Sequence, residues 1–273
     1  MEQTKYLIGD VANLIGMSRD TLRHYEKLGI LSSEKGDNGY RYYTDEDISR
    51  LVGIMYQRKM DIGLGEIADL WDGDSSIARL SGILEQRLKE EELEIRRHRQ
   101  TVARLKMARE DCENIRIHLD RIAVMEFPKT YVIDSHTDIR DSIPLYFQYS
   151  REYSGLDMMY VFDEYTWKQS QNAMCIDYKN SQLVLKQDVK KFVDYDFPEY
   201  SSSLNRSSPC VSAFRLSTSR IPSAKDIEPM VEWAKEQGLT VSHQLYCTFT
   251  LQGMAGGEQA YYLQLYLPLV TPQ

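Results

Sequence analysis

The chain has 273 residues, 42% hydrophobic and 27% charged, with a net charge of −8, which is enough length for two domains with separate cores. It has no apolar run long enough to span a bilayer and no signal-peptide pattern at its start, so a cytoplasmic protein without membrane contact is expected. Cys112, Cys175, Cys210 and Cys247 are far apart and unpaired in spacing, which argues against a structural zinc site or an iron–sulfur cluster; no metal or cofactor is expected.

Residues 10–15 read as a short amphipathic helix ended by Gly16. Ser18 is a good N-cap for a second helix over about 19–27. Two short helices joined by a tight glycine turn make a helix-turn-helix. Gly29 stops the second helix, Ile30-Leu31 would begin a strand, and Asn38-Gly39 is a turn signal before a return strand, Tyr40 to Tyr43. That hairpin is a wing. Thr44-Asp45-Glu46-Asp47 resembles a capping box opening a third helix through about Lys59, and a fourth helix follows over 66–70.

The stretch Ser18-Arg19-Asp20-Thr21-Leu22-Arg23-His24-Tyr25-Glu26 and the later Gly39-Tyr40-Arg41-Tyr42-Tyr43 place arginines, hydroxyls and tyrosines on one helix and its wing. That is equipment for holding a DNA backbone with a helix in the groove. Residues 1–60 carry nine Lys/Arg and nine Asp/Glu. The basic footprint is therefore local, made of Arg19, Arg23, Arg41, Arg58 and Lys59, and the acidic remainder should weaken non-specific binding.

From about 76 to 119 the chain reads as one polar helix. Leu84, Leu88, Ile95, Val102, Leu105, Cys112 and Leu119 recur at steps of three, four and seven, a coiled-coil seam interrupted by Glu91, His98 and Arg109. So narrow an apolar stripe needs a partner, and an antiparallel homodimer is expected. Cys112 falls on this seam without a second soft ligand nearby, so it is read as a packing residue and not a metal ligand.

Past Pro128 lie thirteen of the nineteen tyrosines. Strands are expected over 158–165, 173–178, 211–216, 246–251 and 261–267, and helices over 141–153 and 224–237. Strand, helix and strands, twice over, argue for an α+β domain with helices on one sheet face. Polar loops are expected at 201–209 and 253–257.

The order and spacing of Ile8, Val11-Ala12, Gly16, Ser18, Thr21-Leu22-Arg23, Tyr25-Glu26, Gly29-Ile30-Leu31 and Gly39 to Tyr43 resemble MerR-type transcriptional regulators over residues 4–120. The resemblance implies three parts. These are an all-α winged helix-turn-helix DNA-binding domain (1–75), a long antiparallel coiled-coil dimerisation helix (76–120) and an effector-binding domain (121–273). It implies a homodimer on promoter DNA that twists and kinks an over-long spacer when effector binds, so that RNA polymerase reads both promoter elements. Carried over by position, Arg19, Arg23, Tyr25 and Arg41 would contact phosphates or base edges. Tyr40 and Tyr43 would brace the wing or touch the backbone, Lys59 would anchor the flanking DNA, and Ser18 and Thr21 would cap the helix and add a phosphate contact. His24 departs from the family, which often has an aromatic there.

The C-terminal half resembles the GyrI-like effector domain of the multidrug-sensing branch, through its doubled strand–helix plan, its tyrosines and the ending Tyr262-Leu263-Gln264-Leu265-Tyr266-Leu267-Pro268. Cys247, after Tyr246, and Gln264 stand where the resemblance implies glutamates. A pocket without acids would take a small neutral, flat, lipophilic or aromatic effector, or a cation held by aromatics alone. Phe147, Tyr149, Tyr160, Tyr246, Phe249 and Tyr262 are candidate lining residues beside Cys247 and Gln264. No catalytic constellation stands out, so an enzyme is not expected. A C-terminal hydrolase and a constitutive architectural DNA binder are the alternatives.

Overall fold

The computed structural model describes residues 4–71, 77–138, 140–170, 173–197, 209–255 and 257–270. The chain divides into two compact units, Met1–Ile95 and Arg96–Gln273. Most of the expected polar loop at 201–209 lies outside the described residues, as do Ser76 and Gly256.

The first unit runs β1 (Tyr6–Leu7), α1 (Ile8–Ile15), α2 (Arg19–Lys27), β2 (Glu34–Lys35), β3 (Arg41–Tyr43), α3 (Asp45–Lys59) and α4 (Leu64–Trp71), then enters α5 (Ile77–His118). Gly16 closes α1 at φ +70°, a conformation that costs glycine little. Ser18 then caps α2: its hydroxyl accepts the Thr21 backbone N–H at 3.0 Å. Thr44 and Asp47 form the reciprocal capping box of α3, which satisfies two orphan donors at once. Val11, Leu22, Tyr25, Leu51, Ile54 and Ile67 fill the core, and Leu80, Ile83 and Leu84 of α5 pack against it.

The wing differs from the sequence reading. Ile30 and Leu31 begin no strand. With Gly29 at φ +75°, the Ile30 and Leu31 amides both turn back to the Tyr25 carbonyl (3.2 and 3.4 Å). They cap the end of α2 and drop their side chains into the core. The hairpin begins later, pairing Glu34 with Tyr42 and Lys35 with Arg41. An unforeseen strand, β1, pairs Tyr6 with Tyr43, completing a sheet of order β1-β3-β2.

The second unit contains the C-terminal part of α5, then β4 (Ile122–Glu126), β5 (Thr130–His136), α6 (Ser142–Glu152), β6 (Tyr160–Gln169), β7 (Met174–Lys186), β8 (Pro209–Ser217), α7 (Ala224–Glu236), β9 (Gln244–Ala255) and β10 (Glu258–Pro268). One seven-stranded antiparallel sheet has the order β4-β8-β10-β9-β6-β7-β5. Strand, helix, strand, strand occurs twice, as β5-α6-β6-β7 and β8-α7-β9-β10, and the halves meet where β6 pairs β9. One face, with Leu245, Cys247, Leu263 and Leu265, packs under α7. Side chains alternate along strands, so Tyr246, Thr248, Gln264 and Tyr266 point to the other face, where Tyr246 and Tyr266 cluster with Phe127 and Phe162.

The tail of α5 is fixed to this second unit. Gln100 donates to the Phe192 carbonyl (2.9 Å), Arg104 forks onto Asp157 at 2.5 and 2.6 Å, and His118 stacks on Phe214. The expected seam is thereby shortened. Leu84 is taken up by the first core and Leu119 bridges to Phe214. Leu88, Ile95, Val102 and Leu105 stay exposed, as does Cys112, leaving an apolar stripe along a helix that fits a coiled coil.

Candidate nucleic-acid interface and ligand cavity

The amphipathic split of α2 decides what it offers. Leu22 and Tyr25 face inward, and Arg19, Asp20, Arg23, His24 and Lys27 are exposed. Arg23 is held by Asp20 at 3.0 Å, an exposed i,i+3 pair that adds little stability but pre-sets the guanidinium. Ser18 and Thr21 share a 2.8 Å hydroxyl contact at the helix start. At the wing, the Gly36 amide bonds the Tyr40 carbonyl and the Gly39 amide the Gly36 carbonyl, presenting Tyr40 at 62% exposure. Lys59 is exposed in the last turn of α3, and Arg58 donates to the carbonyl of Ile62, just past the helix, at 2.8 Å.

Glu26 ties the helix to the wing. Its carboxylate accepts the Tyr43 hydroxyl (2.9 Å) and the Ser33 hydroxyl, and pairs with the Arg41 Nε at 3.2 Å. Burial, then the Glu26 bond, pushes the Tyr43 phenol well above its usual value, so Tyr43 stays a donor. Tyr25 and Tyr43 are 5% and 0% exposed, so Tyr43 serves as a brace. Tyr25 packs in the core, unlike the direct DNA contact carried over for it. The exposed set brought to one helix and its wing is Arg19, Arg23, Tyr40 and Arg41, with Ser18 exposed and Thr21 half-buried at the helix start. Glu26 is a functional residue without a local sequence signal: it lies seventeen residues before the tyrosine whose buried hydroxyl it accepts.

In the second unit a cavity of about 600 Å³ lies where α5 meets the sheet, walled by Tyr160, Phe162, Thr248, Thr250, Gln264 and Tyr266. An adjoining one of about 460 Å³ is lined by Phe147, Tyr160 and Phe249, with Met107 and Tyr146. Phe147, Tyr160, Phe249 and Gln264 thus reach cavities. Four candidates line neither of these two. Cys247 is fully buried on the opposite face, under α7, with its thiol pushed far up by burial. Tyr246 is packed against Phe127 (5.2 Å between ring centres). Tyr149 donates to Asp134 at 3.1 Å, its phenol raised to about 12 chiefly by burial. Tyr262 lines neither cavity.

The larger cavity has acids, at positions other than Cys247 and Gln264. Glu110, Asp111, Glu126 and Asp188 line the larger cavity, against Lys129 and Lys186. These acids come from α5, from the end of β4 and from the turn after β7, far in sequence from β9 and β10. Asp163, the acid nearest Cys247, points away from the cavity: it pairs with Cys247 across the strands and accepts the Ser181 hydroxyl.

Residues 6–74 match the family of MerR HTH family regulatory proteins. The nodulation protein NolA of Bradyrhizobium sp. (strain NC92) is 33% identical over 119 residues, 43% of this chain and 48% of NolA, so the chain spans about half that relative's length. The HTH-type transcriptional regulator ZntR of Escherichia coli (strain K12) is 33% identical over 96 residues, 33% of this chain and 68% of ZntR. Among solved structures, HiNmlR, a MerR family regulator lacking the sensor domain, bound to promoter DNA, aligns with a TM-score of 0.33 at 24% identity, covering 41% of this chain and 95% of that one. Among the described residues no helix is long and apolar enough to cross a membrane.

Proposed function

The chain belongs to the MerR HTH family of regulatory proteins, and on that premise we propose that it is an effector-responsive transcription factor acting as a homodimer on promoter DNA. The exposed stripe of α5 joins two copies in antiparallel fashion, so that two winged helix-turn-helices meet two half-sites. A small lipophilic or aromatic effector occupies the C-terminal unit, which we read as a GyrI-like domain. Its binding favours a twisted, kinked spacer that RNA polymerase then uses. The three working parts are 1–75, 76–120 and 121–273.

The observation that carries this reading is the Glu26 tie, which locks Arg41 of the wing to the helix that displays Arg19 and Arg23. A reader of DNA needs its phosphate contacts at fixed spacing. Lys59 is assigned to the flanking backbone. Fluorescence anisotropy with the chain's own promoter tests it. Arg23→Ala and Arg41→Ala should each weaken binding by roughly tenfold or more at moderate salt and reduce the salt slope by about 1. Unchanged binding in both would remove the interface.

A further inference from the structure

The larger cavity holds a cation already. Asp111 is buried on α5 and accepts the Tyr160 hydroxyl at 3.1 Å. Lys186, at the end of β7, brings its ammonium to 3.7 Å from the other Asp111 oxygen and 4.8 Å from the centre of the Tyr160 ring. A carboxylate edge and an aromatic face around one point are what a desolvated ammonium group needs. Burial raises the Asp111 carboxyl above its usual value, and Lys186 and the Tyr160 bond oppose that shift. The Lys186 contact is loose, longer than a charge-assisted hydrogen bond, and its side chain is 21% exposed. It has water to return to.

The same cavity contains polar atoms left over. Thr248 is 3% exposed, and its hydroxyl and that of Thr250 are buried without a hydrogen-bond partner among the described residues. Both line the cavity, as does Gln264. Buried hydroxyls without partners are uncommon, and these two share a cavity with the rings of Phe162 and Tyr266.

We propose that Asp111 and Tyr160 form a cation subsite that Lys186 fills from within the chain, and that the cavity's ligand is an arylalkylamine whose ammonium group takes the place of Lys186. The lysine is a tethered competitor. It offsets the charge of Asp111 while the cavity is empty and swings to solvent when a ligand brings its own ammonium. The ligand's ring then lies in the cavity against the stacked pair of Phe162 and Tyr266, and Thr248 and Thr250 supply hydrogen bonds. This rests on reading the C-terminal unit as the effector-binding part, and it names the effector's chemistry.

The test uses the full chain. Lys186→Ala removes a propylammonium fragment and should lower the melting temperature, since Asp111 is left buried and unpaired. Adding n-propylammonium chloride should restore several degrees in this variant and much less in wild type; n-propanol, or sodium chloride at equal ionic strength, should not. Lys186→Ala combined with Asp111→Asn should show no such recovery. Equal response in variant and wild type, or none, overturns the proposal. Lys186→Met keeps the apolar stem. It should bind 2-phenylethylamine at least about tenfold tighter than wild type by calorimetry, because a resident competitor lowers apparent affinity. Equal or weaker binding counts against the tethered cation. If recovery occurs while promoter binding ignores the amine, the subsite stands and its regulatory role falls.

Discussion

At the scale of single residues, Glu26 joins the helix and the wing of the proposed DNA interface while being only 14% exposed itself. Glu26→Ala strands the buried Tyr43 hydroxyl and frees Arg41. It should cost about 1–3 kcal/mol of stability, read by denaturant unfolding, and weaken promoter binding as well. Tyr43→Phe, which removes only the donor, should cost about 1 kcal/mol. The tyrosines show where residue identity misleads. Tyr25 and Tyr40 look alike in a sequence, and only the helical phase of α2 and the turn of the wing separate a core ring from an exposed one. Asp163 supplies a pH test. Burial raises its carboxyl above 3.8, and Ser181, Arg220 and His136 oppose the shift. The folded state therefore holds more protons between 3.8 and the raised value, and stability falls as pH rises through that window. The melting temperature of Asp163→Asn relative to wild type should rise as pH is taken from below 4 to 7; a constant difference would contradict this.

At the scale of elements, the helices were largely legible. Ser18 and the Thr44–Asp47 box announce their helices through capping chemistry that acts locally, and α2 begins and ends where that chemistry predicts. Ser18→Ala should cost about 1 kcal/mol, measured by thermal unfolding. The strands β4 and β5 escaped notice. They border the sheet, carry mixed polarity and gain their order from distant partners, β8 and β7. The cavity was illegible for the same reason: Asp111 and Lys186 are separated by a whole repeat of the sheet, and no local pattern joins them. For α5, replacing Leu88, Ile95 and Val102 by glutamate should leave each unit folded, since all three are exposed, and should convert dimer to monomer in analytical ultracentrifugation. An unchanged sedimentation coefficient would move the dimer contact elsewhere.

At the scale of the whole molecule, charge and continuity matter most. A net charge of −8 opposes DNA everywhere but at the local basic face, so promoter affinity should fall steeply with salt while random-sequence DNA binds weakly even at low salt. The boundary between the two units falls within α5. In the 42-residue α5, Leu84 belongs to one core and Ala103 to another, and the residues between them are helical. A protease seeking extended chain finds nothing to cut between those anchors. Brief digestion should therefore nick the surface loops and spare this shaft, releasing fragments that still carry it whole. Any attempt to produce either half alone must decide which half inherits the helix, because a cut between Leu84 and Ala103 leaves each half its packed anchor but divides the exposed stripe of Leu88, Ile95, Val102 and Leu105.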